Sequence, residues 1–132
     1  MHNIKASVML AKYITEDNIE GIVKTLPGGE ENKIWMILLL KTNVKAHEEI
    51  VLGFDIIGLG DNADFCLELG EFTFSKSTDT NNKSVYPLKD TFSLGQELPP
   101  LPVLQAGIYE FIVYEKDIDQ NYILDTYQFA VN

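Results

Sequence analysis

Asp117, Asp119, Asn121 and Asp125 in "EKDIDQNYILD" follow the alternating, then four-residue spacing with which a calcium loop begins. The helix-loop-helix form of such a loop requires glycine at its sixth position and a bidentate glutamate at its twelfth. Counted from Asp117, those positions hold Tyr122 and Gln128. Asp125 and Gln128 also fall where a strand is expected, and strand neighbours of opposite parity point to opposite faces. Asp and Asn favour turns for their own hydrogen-bonding reasons, so the segment is expected to be a turn between two strands. The remaining metal chemistry would need Asp117 and Asp119 to meet Asp61 and Asp64 of "GDNAD" at one end of the molecule. Failing that convergence, neither a metal nor a cofactor is expected.

Acid-base and nucleophilic chemistry have few carriers. Of the two histidines, His2 lies at the terminus and His47 sits beside Glu48 and Glu49 in a polar connector. A carboxylate-oriented base could be built there, but a solvated surface histidine is the simpler reading. Cys66 alternates with Glu68 and Phe72, where a lone cysteine is expected to pack as a small hydrophobe. No phosphate-cradling loop, dinucleotide fingerprint, Cys-x-x-Cys or His-x-x-x-His is present. Glu68, Glu71 and Glu110 are carboxylates in apolar surroundings, expected on an exposed face. The chain is expected not to be an enzyme.

Charge narrows the partners. All ten basic residues of the 132 are lysine, against twenty Asp and Glu, giving a formal net charge of −10. Direct nucleic-acid binding is disfavoured, because phosphates are neutralised by clustered Lys and Arg. An anionic membrane surface would repel the chain, whereas a basic protein would be attracted. The single cysteine cannot close an intramolecular disulfide. The longest strongly apolar run, "IWMILLL", is far short of the ~18 residues of a membrane span. "MHNIKASVMLAKYITED" lacks the long core and cleavage pattern of a secretory signal, so a cytoplasmic location is expected.

The elements that must position these residues are strands. In "IKASVML", Ile4, Ala6, Val8 and Leu10 share one side, a period of two. "NIEGIVKTL" reads as the next strand, closed by the turn in "PGGEEN". "KIWMILLLKT" is apolar on both alternating sets, which predicts a central strand covered on both faces. "IVLGFDIIGLG" and "FCLELGEFTF" follow, Gly53 marking a bulge or a close backbone approach. "SKSTDTNNKS" reads as a polar surface loop, and "VYPLKDTFSLGQ" as an edge strand because of Pro87. In "ELPPLPVLQAG", Pro99, Pro100 and Pro102 withhold amide donors, so this segment should cross between sheets without joining a ladder while its leucines seek burial. In "GIYEFIVYEK" and "NYILDTYQFAVN", Tyr109, Phe111 and Val113 should face Tyr127, Phe129 and Val131 across a hairpin.

One domain is expected over residues 1–132, an all-β antiparallel sandwich of about seven to nine strands, immunoglobulin-like or similar. The opening "ASVMLAKYITEDNIEGIVKTL" and the closing "LPPLPVLQAGIYEFIVYEKD" with "TYQFAVN" resemble a group of uncharacterised single-domain β-sandwich proteins of bacteria and their phages. That resemblance covers about half the chain; it implies a fold and brings no catalytic residues. The leading functional expectation is a protein-binding or structural module, with Glu48, Glu49, Asp79, Asn81 and Asn82 as contact residues. The alternative is a phage-type acidic inhibitor that imitates nucleic acid or fills a basic groove on a host defence protein. A homodimer through sheet extension is a further expectation, with the "IKASVML" edge as its open side.

Overall fold

A computed structural model of the chain describes residues 4–14, 18–42, 49–75 and 91–132. Alternation does govern these segments. They form nine strands: β1 (Ile4–Ile14), β2 (Ile19–Ile22), β3 (Thr25–Leu26), β4 (Trp35–Thr42), β5 (Glu49–Gly58), β6 (Cys66–Ser75), β7 (Thr91–Glu97), β8 (Gly107–Lys116) and β9 (Asn121–Val131). One sheet has the order β2-β1-β4-β7 and the other β3-β9-β8-β5-β6. All pairings are antiparallel except β3 with β9. The fold is the expected all-β sandwich.

Its inner faces are the predicted ones. Val8 and Leu10 of β1, Tyr109, Phe111 and Val113 of β8, and Phe129 and Val131 of β9 are buried in one core shared by both sheets. Tyr109 stacks on Phe129 at 5.8 Å and Phe54 on Phe111 at 6.1 Å, ring contacts that add to the area they remove from water. The crossover after β7 behaves as its prolines require. Leu98, Leu101 and Leu104 are buried while Pro99, Pro100 and Pro102 stay exposed. Leu101 forms an isolated bridge with Asn32, and the Leu98 amide donates to the Ile34 carbonyl at 3.0 Å.

Two features match the immunoglobulin arrangement. Taking β1, β4 and β7 as its A, B and E strands and β5, β8 and β9 as C, F and G reproduces the order of both sheets. At the start of β8 the Tyr109 hydroxyl donates to the Gln105 carbonyl at 2.7 Å, a tyrosine corner at the crossover between sheets.

Three expectations need correction. "NIEGIVKTL" is not one strand: β2 pairs with β1 and β3 pairs with β9, so the chain changes sheets at Val23 and Lys24. β4 is central in its sheet, but the other sheet covers only one of its faces. On the outer face Leu39 is 50% exposed, and Ile14 lies close to Gly95 of β7, where a Cβ would be 2.8 Å from the Ile14 Cδ1. β1 keeps part of its expected edge: β2 pairs only from Ala11 to Ile14, so among the described residues 4–10 meet no strand on the side away from β4, where the Val8 amide donates to Asp125 of β9. Cys66 is exposed rather than packed. The reason is a bulge: Phe54 pairs with Gly70 but Asp55 with Glu68, leaving Leu69 extra. That shift turns Phe72 inward while Cys66 and Glu68 remain outside.

Candidate binding surface

The acidic loops do not converge. The β5–β8 ladder sets Gly58 opposite Tyr109 and Val51 opposite Lys116. The turn holding Asp61 therefore lies at one end of the ladder and the turn holding Asp117 and Asp119 at the other, roughly 25 Å away for eight strand residues. Asp61, Asp64, Asp117 and Asp119 are all exposed. Asp117 caps its own turn, its Oδ1 accepting from the Ile118 amide at 2.6 Å, which is the turn chemistry expected of it. Among the described residues no three His, Cys, Asp or Glu side chains gather as a metal site. Glu49 is exposed at the start of β5, whereas His47, Glu48, Asp79, Asn81 and Asn82 lie outside the described residues.

Asp125 has a role that spacing did not disclose. A second bulge pairs Val113 with Asp125 but Tyr114 with Ile123, leaving Leu124 extra. Bulges re-aim side chains. Here the carboxylate turns to the opposite sheet, and its Oδ2 accepts from the Val8 amide at 2.8 Å.

Carboxylates do assemble on the outer face of the second sheet. Asp55, Glu68 and Glu71 lie near Tyr114 and Lys116, and the Tyr114 ring lies over Gly53, where a Cβ would be 2.3 Å from its Cζ. This is the close approach that Gly53 foretold. The Tyr114 hydroxyl donates to Asp55 Oδ1 at 3.3 Å. Burial, then the charge of Asp55 and its hydrogen bond, push the Tyr114 hydroxyl up to about 12. Burial likewise raises the Asp55 carboxyl, aided by Glu68 and opposed by the Tyr114 bond and Lys116. Lys116 Nζ lies 2.8 Å from Glu71 Oε2, and that contact raises the lysine further. Among the described residues only Glu71 has a cationic partner in this cluster, so Asp55 and Glu68 leave it net acidic.

A different region offers an unfilled surface. β6 and β7 are the outermost strands on the same side of their two sheets. Between them opens a cleft of about 500 Å³ whose apolar floor is Met36, Phe54, Leu69, Phe72, Leu94 and Leu98. Pro99 and Pro100 close one end, and Glu71 and Glu97 stand at the rim. Met36, Phe54 and Leu98 belong to the core, so the cleft opens directly onto it. A volume in this range suits a few inserted side chains. Sequence reading missed this surface, although "TFSLGQE", a strand without lysine or proline, was a signal of an unblunted edge.

No protein-family model matches the chain, and no curated protein matches it. Among solved structures the chain is similar to the PmoD soluble domain from Methylocystis sp. ATCC 49242 (Rockwell), at 15% identity over 96% of this chain and 90% of that one, with a TM-score of 0.37. A likeness that distant says nothing of activity.

Proposed function

We propose that this domain is a non-enzymatic protein-binding module that works in the cytoplasm and makes its contact through the open side of the sandwich. The observation that carries the reading is the apolar cleft between β6 and β7, which leaves core side chains accessible beside two strand edges. Apolar surface grouped in this way and rimmed by polar residues marks interaction sites. The exposed, unbridged Cys66 suits a reducing compartment.

The test is capture from the source cell on immobilised domain at low and high salt, repeated with Leu94→Arg in the cleft and Ile123→Arg on the outer face. The reading expects a protein retained by wild type and Ile123→Arg but lost with Leu94→Arg. Capture indifferent to Leu94→Arg would overturn it. The acidic-inhibitor reading draws on the net charge of −10 and expects capture to collapse as salt rises. The pairing of Glu71 with Lys116 removes one carboxylate from that face.

A further inference from the structure

The open side also indicates the chemistry of the partner, an inference that rests on the protein-binding reading. β7 pairs with β4 through one edge, and among the described residues its other edge meets no strand. Such edges are ordinarily blunted by lysine, proline or a bulge. β7 contains neither lysine nor proline, and its register with β4 runs unbroken from Trp35↔Glu97 to Lys41↔Thr91. β6, across the cleft, is interrupted at Leu69 and at Gly70, whose φ is 137°. Of the two edges, β7 is the regular one.

A strand laid along β7 would use the amide and carbonyl groups of the edge that no described strand pairs with, and would send every second side chain into the cleft, onto Leu94 and Phe72. Glu97 at the rim, on a chain of net charge −10, favours cationic residues beside those apolar ones, Glu71 being already paired with Lys116. Glu97 also disfavours a second copy of this chain added along β7, which would bring its own Glu97 and the same net charge of −10. We infer that the cleft receives an extended segment of a partner protein, added as a strand to β7, with apolar residues at alternate positions and Lys or Arg between them.

The probe is a blocked peptide of alternating valine and lysine, seven residues long to match β7. Controls carry glutamate for lysine, or N-methyl groups on alternate amides, which remove strand pairing without altering side chains. Trp35, the sole tryptophan, pairs with Glu97 at the end of β7 and reports binding by fluorescence. Amide hydrogen exchange locates it. The expected result is saturable binding with new protection in β7, weakened about tenfold or more by N-methylation, by the glutamate peptide and by Leu94→Arg. Glu97→Lys, a change at an exposed position, should reverse the preference between lysine and glutamate peptides, and it serves should Leu94→Arg fail to melt cooperatively.

Equal binding of the N-methylated peptide, protection outside β7, no binding at all, or a dimer in sedimentation that buries β7 would each overturn the inference. If the peptides fail while Leu94→Arg still abolishes capture from the cell, strand addition is wrong and the protein-binding reading stands. If capture ignores Leu94→Arg, the reading itself falls.

Discussion

The two sides of the sandwich are built from the same kinds of strand but finished differently. On one side the chain between β1 and β4 stitches the sheets together. Val23 donates to the Leu10 carbonyl at 2.9 Å, Ala130 to Lys24 at 2.9 Å and Asn132 to Leu26 at 3.1 Å. The Tyr127 hydroxyl adds a bond to the Val23 carbonyl at 2.5 Å, and Asp125 grips the Val8 amide. On the other side, β6 and β7 stand apart over the cleft. A strand edge asks for hydrogen-bond partners. One side obtains several of them from its own chain, and the other leaves β7 to be completed from outside.

The sharpest way to break this comparison is to remove the stitch at Asp125. Asp125→Ala leaves the Val8 amide without its charged acceptor, and hydrogen bonds to charged groups contribute about 1.5–3 kcal/mol. A loss of about 2 kcal/mol in urea unfolding is expected, with Asp125→Asn costing less because its amide oxygen can still accept. A loss below about 0.5 kcal/mol for the alanine variant would mean the closed side does not depend on this bond.

Next in size is the bulge that sets the open side. Gly70 has φ 137°, a backbone conformation that side chains rarely adopt, yet a Cβ there would meet nothing within 4 Å. Gly70→Ala therefore isolates backbone strain from crowding, and a cost of about 1–2 kcal/mol is expected. A neutral result would show that the strand relaxes, and the peptide titration on this variant would then reveal whether the bulge matters to the cleft.

Leu94→Ala sharpens the same contrast. Sealed leucines cost about 2–5 kcal/mol when truncated, because a cavity remains. Leu94 is half-buried at the mouth of the cleft, where water already enters, so about 1 kcal/mol is expected. Leu10→Ala, at a site with no exposure, is the paired measurement and should cost at least twice as much.

Much of the fold was legible because alternation reports which face a residue takes. Ile4, Ala6, Val8 and Leu10 turn to the core as a set, and so do Tyr109, Phe111 and Val113. Alternation carries no label for the sheet, however, so the break at Val23 and Lys24 was invisible. It also assumes an unbroken count, and the extra residues Leu69 and Leu124 each reverse it. Cys66 was misplaced by the bulge at Leu69, and the reach of Asp125 was hidden by the one at Leu124. The cleft was the hardest to foresee, since it arises from a pairing that β6 and β7 do not make.

The smallest expected effect concerns a carboxylate that, unlike Asp125, serves no seam. Asp55 lies on the outer face, its carboxyl raised mainly by burial and then by Glu68. The folded chain therefore holds this proton to higher pH than the unfolded chain does. The resulting stability is complete below the ordinary carboxylate range and is lost as pH rises through the folded value. Asp55→Asn removes that pH-dependent loss and keeps an oxygen to accept from Tyr114. The variant should melt with wild type near about pH 3 and above it near about pH 7, by no more than about 0.5 kcal/mol given the solvent around the group. Were the difference to shrink as pH rises, Asp55 would be stabilised by its neighbours as a charge. The two aspartates would then differ in place but not in kind.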